Sequence, residues 1–283
     1  MQAHVTSVLK GVVKESSKGA LSELLGSRAA ATALSNKVSG GKWEATLGIV
    51  LIDDARLRAY TPRAAVEWAL KYETANGEIE ETCGGTWFSQ KKGGGMIEAE
   101  SYIARTAAAG AGGPGPWTRA PVDQHVRMTA NETRAMLKIK ADGWASPDFN
   151  AAKAALKENC LAEDAVTASP FEVHVGPKAI IKGLGKYRLS YEPAEILLSD
   201  VVVGVGGDCG LFAAQRAVAC AAKGSDNFDS DRELVFGEIV LDEDNVPKLR
   251  YARSIFNPET SPRSPDPLPD TYPVASTFSN YTA

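Results

Sequence analysis

The sequence contains few of the residues that cross-link small folds or bind metal ions. It has 4 Cys and 3 His in 283 residues, and no two cysteines stand in CxxC spacing. So few cysteines in a chain of this length do not form a disulfide framework, and three scattered histidines do not form the usual pattern of a zinc site. We therefore expect reduced cysteines, no metal site and no cofactor.

Long apolar runs are also missing from the sequence. No segment approaches the roughly 20 apolar residues that a membrane-spanning helix needs. The first 19 residues are interrupted by Lys10, Lys14 and Glu15, so they lack the apolar centre of a signal peptide. We therefore expect no contact with a membrane and a location in the cytoplasm.

The chain lacks an overall positive charge, since its formal net charge is −4. That balance argues against a surface that is basic everywhere and binds nucleic acid nonspecifically. The charges are unevenly distributed, however, because residues 1–140 carry 18 Lys and Arg against 14 Asp and Glu, whereas residues 141–283 carry 13 against 21. An anion-binding surface is therefore expected in the first half of the chain.

Small residues are abundant, with 42 Ala, 20 Ser and 15 Pro, and the prolines gather near the C-terminus. Six prolines from Pro258 to Pro273 rule out an ordinary helix or a central strand there. We therefore expect residues 257–283 to form an extended or disordered arm. The arm is either a free tail or a segment that grips a second subunit, with three aromatic anchors: Tyr272, Phe278 and Tyr281.

The most hydrophobic stretch of the chain is Ser199–Gly224. Its valines at 201–205 predict a buried strand, the glycines that follow predict a turn, and the apolar residues from Leu211 onward recur at helical spacing until Gly224. The sequence leaves the role of the Gly204–Gly210 turn open. It is not a dinucleotide-binding turn, because Cys209 stands where that motif needs its third glycine.

The remaining patterns predict an α+β fold of antiparallel sheets with flanking helices. We expect one globular domain over residues 1–256, with a possible internal boundary in the Gly/Ala/Pro-rich loop 107–116. The predicted helices cover 4–14, 21–34, a segment opened by Thr61-Pro62, a segment from the capping box at Thr129 to Ile139, and 148–159. The predicted strands cover 43–53, 78–82, 86–90, 96–101, 171–175, 187–191, 196–205, 233–241 and 247–256.

One segment has the pattern of a cysteine nucleophile. Asp208-Cys209-Gly210-Leu211 places a cysteine at the start of the predicted helix, where the helix dipole lowers a thiol pKa. The tetrapeptide resembles the nucleophile segment of the adenain and ubiquitin-like-protein peptidases. That resemblance implies His174 and Asp200 as partners of Cys209. The family's oxyanion Gln and the Trp after its His are absent here.

Basic residues form the other candidate set. Arg134 and Lys138 are four residues apart on a predicted helix, so they share a face. A solvated helix face and a nucleic-acid-binding surface both fit this pattern. The candidate nucleic-acid contacts are Lys91, Lys92, Arg119, Arg127, Arg134, Lys138 and Lys140.

In length, Ala/Ser/Pro bias and the tail SPRSPDPLP at residues 261–269, the chain resembles the proline–alanine–serine-rich proteins of polymycoviruses. The resemblance implies a non-enzymatic, coat-like protein that self-associates and binds a double-stranded RNA genome without sequence specificity, in the host cytoplasm or the virion. A cysteine peptidase using Cys209 is the alternative, and a scaffold for another protein also fits. No functional residue follows from the resemblance.

Overall fold

A computed structural model describes residues 1–53, 62–90, 95–108, 126–204, 209–225, 229–257 and 261. These residues group into two compact units, within Met1–Pro121 and within Val122–Pro269. We refer to them as unit 1 and unit 2 and describe each by itself.

Unit 1 begins with three helices and continues with a four-stranded sheet. The helices are α1 (Gln2–Val13), α2 (Lys18–Leu25) and α3 (Ala29–Ser39). The strands are β1 (Trp43–Ile52), β2 (Arg63–Glu73), β3 (Ile79–Gln90) and β4 (Ile97–Ala108). Each strand pairs antiparallel with the next along the chain, in the order β1-β2-β3-β4.

The core of unit 1 lies between its helices and its sheet. Val5, Val8 and Val12 recur at helical spacing on α1 and are buried against apolar side chains of the sheet, Trp68 among them. Trp68 faces Gly84 of β3, where an added Cβ would overlap with the indole. Glycine inside a strand often marks such a close approach.

Unit 2 contains three helices and a six-stranded sheet. Its helices are α4 (Ala130–Ala145), α5 (Phe149–Asn159) and α6 (Pro177–Ser190). Its strands are β5 (Leu161–Ala168), β6 (Val173–Val175), β7 (Tyr191–Val203), β8 (Leu211–Ala222), β9 (Asp229–Leu241) and β10 (Pro247–Ile255). The strand order is β6-β5-β10-β9-β8-β7, and β10 is parallel to β5 while the other pairs are antiparallel.

Side-chain caps fix the starts of two helices in unit 2, as the sequence predicts. Thr129 and Glu132 form the reciprocal capping box of α4, and Asp148 accepts hydrogen bonds from two backbone N–H groups of α5. Helix α6 is not among the predicted helices. Its N-cap is Gly176, whose φ of +79° suits glycine, and Pro177 occupies the first helical position.

The predicted helix after the glycine turn is wrong, because residues 211–222 form strand β8. Its alanines have high helix propensity, but the strand is held on both sides by β7 and β9, and tertiary pairing overrides propensity. Burial alternates along its second half, with Arg216, Val218 and Cys220 buried and the residues between them partly exposed. That alternation has the period of a strand.

Four other local predictions are corrected by the structure. The segment after Thr61-Pro62 is strand β2, buried on both faces, and not a helix. Cys83–Gly85 lies inside β3 and not in a turn, because Gly84 makes room for Trp68. Residues 187–190 belong to helix α6 rather than to a strand, and the predicted pair of N-terminal helices is three helices.

The predicted α+β class with antiparallel sheets is confirmed. The predicted strand at 43–53 and the hairpin at 233–256 are also found, as β1 and as β9 with β10. The assignment of one domain with a possible boundary at 107–116 stays a prediction. The proposed arm at 257–283, with its anchors Tyr272, Phe278 and Tyr281, lies outside the described residues apart from positions 257 and 261.

None of the described helices has the length and apolar composition needed to cross a bilayer. Among the same residues, no group of three or more His, Cys, Asp or Glu side chains could hold a metal ion.

Candidate functional site

Unit 2 contains a partly enclosed cavity of about 110 Å³ between its sheet and the helices α4 and α6. A single water molecule needs roughly 10–15 Å³ by the same kind of measure, so the space holds several waters or one small organic molecule. Apolar side chains form much of its wall: Trp144, Ile180, Leu184, Ile196, Val218 and Phe256. Its polar lining is Lys140, Thr167, Ser169, Glu172, His174, Tyr187, Arg216 and Ser254.

Lys140 extends from α4 into this cavity. Among the described residues its amine makes no hydrogen bond or ion pair. Burial, together with the positive charge of Arg216, lowers the pKa of the Lys140 ammonium to about 7. Cys160 does not supply a counter-charge, since burial raises the pKa of its thiol to about 11. At neutral pH a large share of Lys140 is therefore an uncharged amine.

Arg216 is the second cation of the cavity, and the sheet holds it in place. It projects from β8, pairs with the fully buried Glu233 of β9, and donates a hydrogen bond of 3.0 Å to Oγ of Ser254 on β10. Burying a charge is costly unless it is paired and hydrogen-bonded, and here both conditions are met. Arg216 is thus a fixed positive group beside Lys140.

Glu172 and His174 form an acid–base pair on the wall contributed by the β5–β6 hairpin. Oε1 of Glu172 lies 2.9 Å from Nε2 of His174, although within the described residues that nitrogen makes no well-directed hydrogen bond. Contact with His174 lowers the pKa of the Glu172 carboxyl below its usual range. The Oγ of Ser169 accepts hydrogen bonds from the backbone N–H groups of Phe171 and Glu172, which fixes the turn before β6.

Two contacts position the helices that cover the cavity. Arg188 of α6 donates a hydrogen bond of 2.6 Å to the carbonyl of Trp144 at the C-terminal end of α4. A basic group at that end of a helix satisfies one of its free carbonyls. Gly183 of α6 lies against His174, and an added Cβ would overlap with the imidazole. The absence of a side chain at Gly183 therefore lets α6 approach β6 closely.

Four of the seven basic residues predicted to bind nucleic acid lie among the described residues. Lys91, Lys92 and Arg119 lie outside the described residues. Lys138 is exposed and pairs with Asp142 at 2.8 Å, whereas Lys140 lines the cavity. The other two predicted contacts lie near the start of α4. Arg127 is exposed just before the helix, and Arg134 donates a hydrogen bond to Asn131.

The three residues of the predicted peptidase site occupy separate places in unit 2. Cys209 is buried and precedes strand β8, so it does not lie at the N-terminus of a helix. Asp200 lies on β7 and His174 on β6, the strands at opposite ends of the sheet order. Of the three, only His174 is among the residues that line the cavity, and it pairs with Glu172.

Sequence reasoning named His174 and Lys140 but missed Glu172, Arg216 and Tyr187. Glu172 stands two residues before His174, so both face the same side of a β-strand, and that spacing is a detectable signal. Arg216 was not recognised because its segment was predicted to be a helix. As part of a strand, it is a charged residue between buried Ala214 and Val218, which marks a buried polar position.

No known protein family matches the sequence, and no curated protein is similar to it. Solved structures with a related backbone do exist. One is a hypothetical protein with a ketosteroid isomerase-like fold from Catenulispora acidiphila in complex with trimethylamine (10% identity, 43% of this chain, 85% of that chain, TM-score 0.34). A ketosteroid isomerase-like protein from Erwinia carotovora atroseptica is another (10% identity, 43% and 90%, TM-score 0.34). A third, from Pseudomonas putida, is described as a candidate polyketide cyclase (19% identity, 46% and 92%, TM-score 0.33).

The descriptions of these similar structures differ from the predicted function. They carry descriptions of isomerase-like and cyclase-like proteins, not of viral coat, RNA-binding or cysteine peptidase proteins. The coat function, the absence of enzymatic activity and the peptidase alternative are therefore corrected. For the peptidase the physical reasons are the strand after Cys209 and the placement of His174 and Asp200 on strands at opposite ends of the sheet order. The resemblance to the polymycovirus proteins, double-stranded RNA as a partner and self-association stay predictions.

Proposed function

We propose that unit 2 is an enzyme that binds a small organic molecule with a carbonyl group and moves a proton to or from a carbon beside that carbonyl. The observation that carries this proposal is the placement of a fixed arginine, a lysine amine and a His–Glu pair around one apolar-walled cavity. A concave apolar site with a few convergent polar groups and a perturbed pKa is the usual character of a small-molecule site.

Arg216 supplies the positive charge that such a reaction needs. Removing a proton beside a carbonyl places negative charge on the carbonyl oxygen, as in an enolate. Arg216 is already held by Glu233 and Ser254, so its positive charge is in place before the substrate arrives. Preorganised charge in a cavity that excludes most water stabilises an oxyanion more strongly than it would in solution.

The His174–Glu172 pair supplies the proton acceptor. The lowered pKa of Glu172 keeps its carboxylate ionised at neutral pH, and a carboxylate beside an imidazole orients the ring and stabilises the imidazolium that forms when the ring takes a proton. Apolar side chains such as Trp144 and Phe256 hold the carbon skeleton of the substrate between these two polar groups.

Exchange of carbon-bound protons with solvent tests the proposal. The intact protein is incubated with cyclohexanone or butanone in D₂O, and loss of the α-proton signals is followed by NMR. We expect exchange faster than in buffer alone, and a decrease of about 10²-fold or more in His174→Gln, because positioned acid–base groups contribute on that scale. Glu172→Gln should lower the rate as well.

The matched control is Glu163→Gln, which changes an exposed carboxylate on β5 away from the residues that line the cavity. It should leave the exchange rate unchanged. Exchange of both ketones at the rate seen in buffer would contradict the proposal, as would an equal loss in Glu163→Gln and His174→Gln.

A further inference from the structure

The amine of Lys140 differs from the other polar groups of the cavity in having no assigned protein partner. Arg216 is engaged by Glu233 and Ser254, and Glu172 lies against His174. For Lys140, by contrast, the described residues supply neither a hydrogen-bond acceptor nor a carboxylate. A primary amine that lines a cavity beside a fixed cation has the surroundings in which lysines act as nucleophiles.

We infer that Lys140 forms an imine with the carbonyl carbon of a small aldehyde or ketone in this cavity. The inference rests on the proposed function, and it adds a covalent step at a defined atom. The low pKa of the side chain supports it, because only the uncharged amine carries the lone pair that attacks carbon.

The step balances without an oxidant or a reductant. The lone pair of Nζ forms a C–N bond while the π electrons of the carbonyl move to oxygen, and one N–H proton passes to that oxygen to give a carbinolamine. The hydroxyl then takes a proton from water or from His174 and leaves as water, while the nitrogen lone pair closes the C=N bond. Loss of the remaining N–H proton leaves a neutral imine.

Imine formation would make the proton transfer at the neighbouring carbon easier. The protonated imine withdraws electrons more strongly than the parent carbonyl, so the adjacent C–H becomes more acidic. The His174–Glu172 pair lines the same cavity and is the group available to take that proton. Lys140 would therefore activate the substrate, and His174 would act on the activated carbon.

Reductive trapping tests the inference. The intact protein is mixed with benzaldehyde, butanal or cyclohexanone at pH 7, sodium cyanoborohydride is added, and the modified lysines are identified by peptide mass mapping. We expect one dominant adduct on Lys140, formed about tenfold or more faster than any adduct on Lys138. Lys138 lies on the same helix and is exposed and paired with Asp142, so it is the matched control.

Variants of Lys140 show whether labelling needs its amine as a nucleophile or only a positive charge at this position. Lys140→Arg keeps a cation and should give no dominant adduct, whereas Lys138→Arg should label like the wild type. Lys140→Gln should also be unlabelled, and circular dichroism checks that each variant is folded. Adducts spread evenly over surface lysines, or equal labelling of Lys140→Arg and wild type, would overturn the inference.

Binding of the same probes distinguishes a failure of the imine inference from a failure of the proposed function. If saturation-transfer NMR shows that cyclohexanone binds and no adduct forms on Lys140, the imine is wrong and the proposed function stands. If none of the probes binds the wild-type protein and none is trapped, both are wrong.

Discussion

Lys138 and Lys140 are two residues apart on α4, and this spacing places them in opposite surroundings. Two positions on a helix differ by about 200°, so one side chain points to solvent when the other points to the core. Lys138 pairs with Asp142 at the surface, and Lys140 lines the cavity. The same residue type is therefore a solvated charge at one position and a reactive amine at the other.

The low pKa of Lys140 makes protein stability depend on pH. Its pKa is about 7 in the folded protein and about 10.4 in an unfolded chain, so between these values the unfolded state binds more protons and the free energy of unfolding rises with pH. Below pH 7 the cost of the buried charge is fully present. The titratable groups around Lys140 are those of Cys160, Glu172, His174, Tyr187 and Arg216.

We expect Lys140→Met to be more stable than wild type by on the order of 2 kcal/mol at pH 6, since the partial exposure of Lys140 discounts the full shift. The difference should shrink toward pH 10. Urea unfolding from pH 6 to pH 10 measures it, and Lys138→Met is the control, with no pH-dependent difference. A constant difference across the range would contradict the low pKa.

The buried pair of Arg216 and Glu233 gives a second prediction. Arg216→Met leaves the carboxylate of Glu233 buried without its main partner, which costs about 3–5 kcal/mol of unfolding free energy. Arg216→Met with Glu233→Leu removes both charges and should recover most of that loss. Chemical denaturation measures the unfolding free energy of the single and the double variant. A double variant as unstable as Arg216→Met alone would contradict the predicted energetic coupling of Arg216 and Glu233.

At the scale of elements, Gly183 sets how closely α6 approaches β6. Gly183→Ala would place a methyl group against His174, so we expect a loss of about 1–3 kcal/mol in stability and weaker binding of cyclohexanone. Thermal denaturation and ligand-observed NMR measure the two effects.

Gly185→Ala is the control on the same helix. Its added Cβ would lie 3.5 Å from the ring of Phe149, an ordinary contact, and alanine favours a helix over glycine by up to about 1 kcal/mol. It should therefore stabilise the protein or leave it unchanged. If both alanine variants behaved alike, the close approach at Gly183 would not limit the packing of α6.

Element boundaries were predictable where a side chain caps the backbone locally. Thr129 with Glu132 and Asp148 mark the starts of α4 and α5 in sequence and in structure. Strand β8 was not predictable in the same way, because its alanines favour a helix. What makes it a strand is its pairing with β7 and β9 in the folded sheet, which local propensity does not show. Arg216 enters the cavity only because its segment is a strand in this sheet. The predicted helix therefore gave no reason to place Arg216 beside His174.

At the scale of the whole molecule, each unit has a hydrophobic core of its own. Leu70→Ala removes buried volume in unit 1 and Leu156→Ala does so in unit 2, and each should cost about 2–5 kcal/mol. We expect calorimetry to show two unfolding transitions. Leu156→Ala should lower the temperature of the transition that cyclohexanone shifts upward, and Leu70→Ala should lower the temperature of the other. A single transition shifted equally by both variants would contradict this.

The order of strands in unit 2 has a consequence for how the protein is made. The sheet of unit 1 pairs neighbours along the chain, so each strand has a partner that is synthesised directly before or after it. In unit 2, β10 is inserted between β5 and β9, and its parallel contact with β5 joins Tyr251 to Val166. During translation, therefore, one edge of β5 stays unpaired until β10 has left the ribosome. The cavity is completed only then, since Ser254 of β10 and Phe256 after it line it.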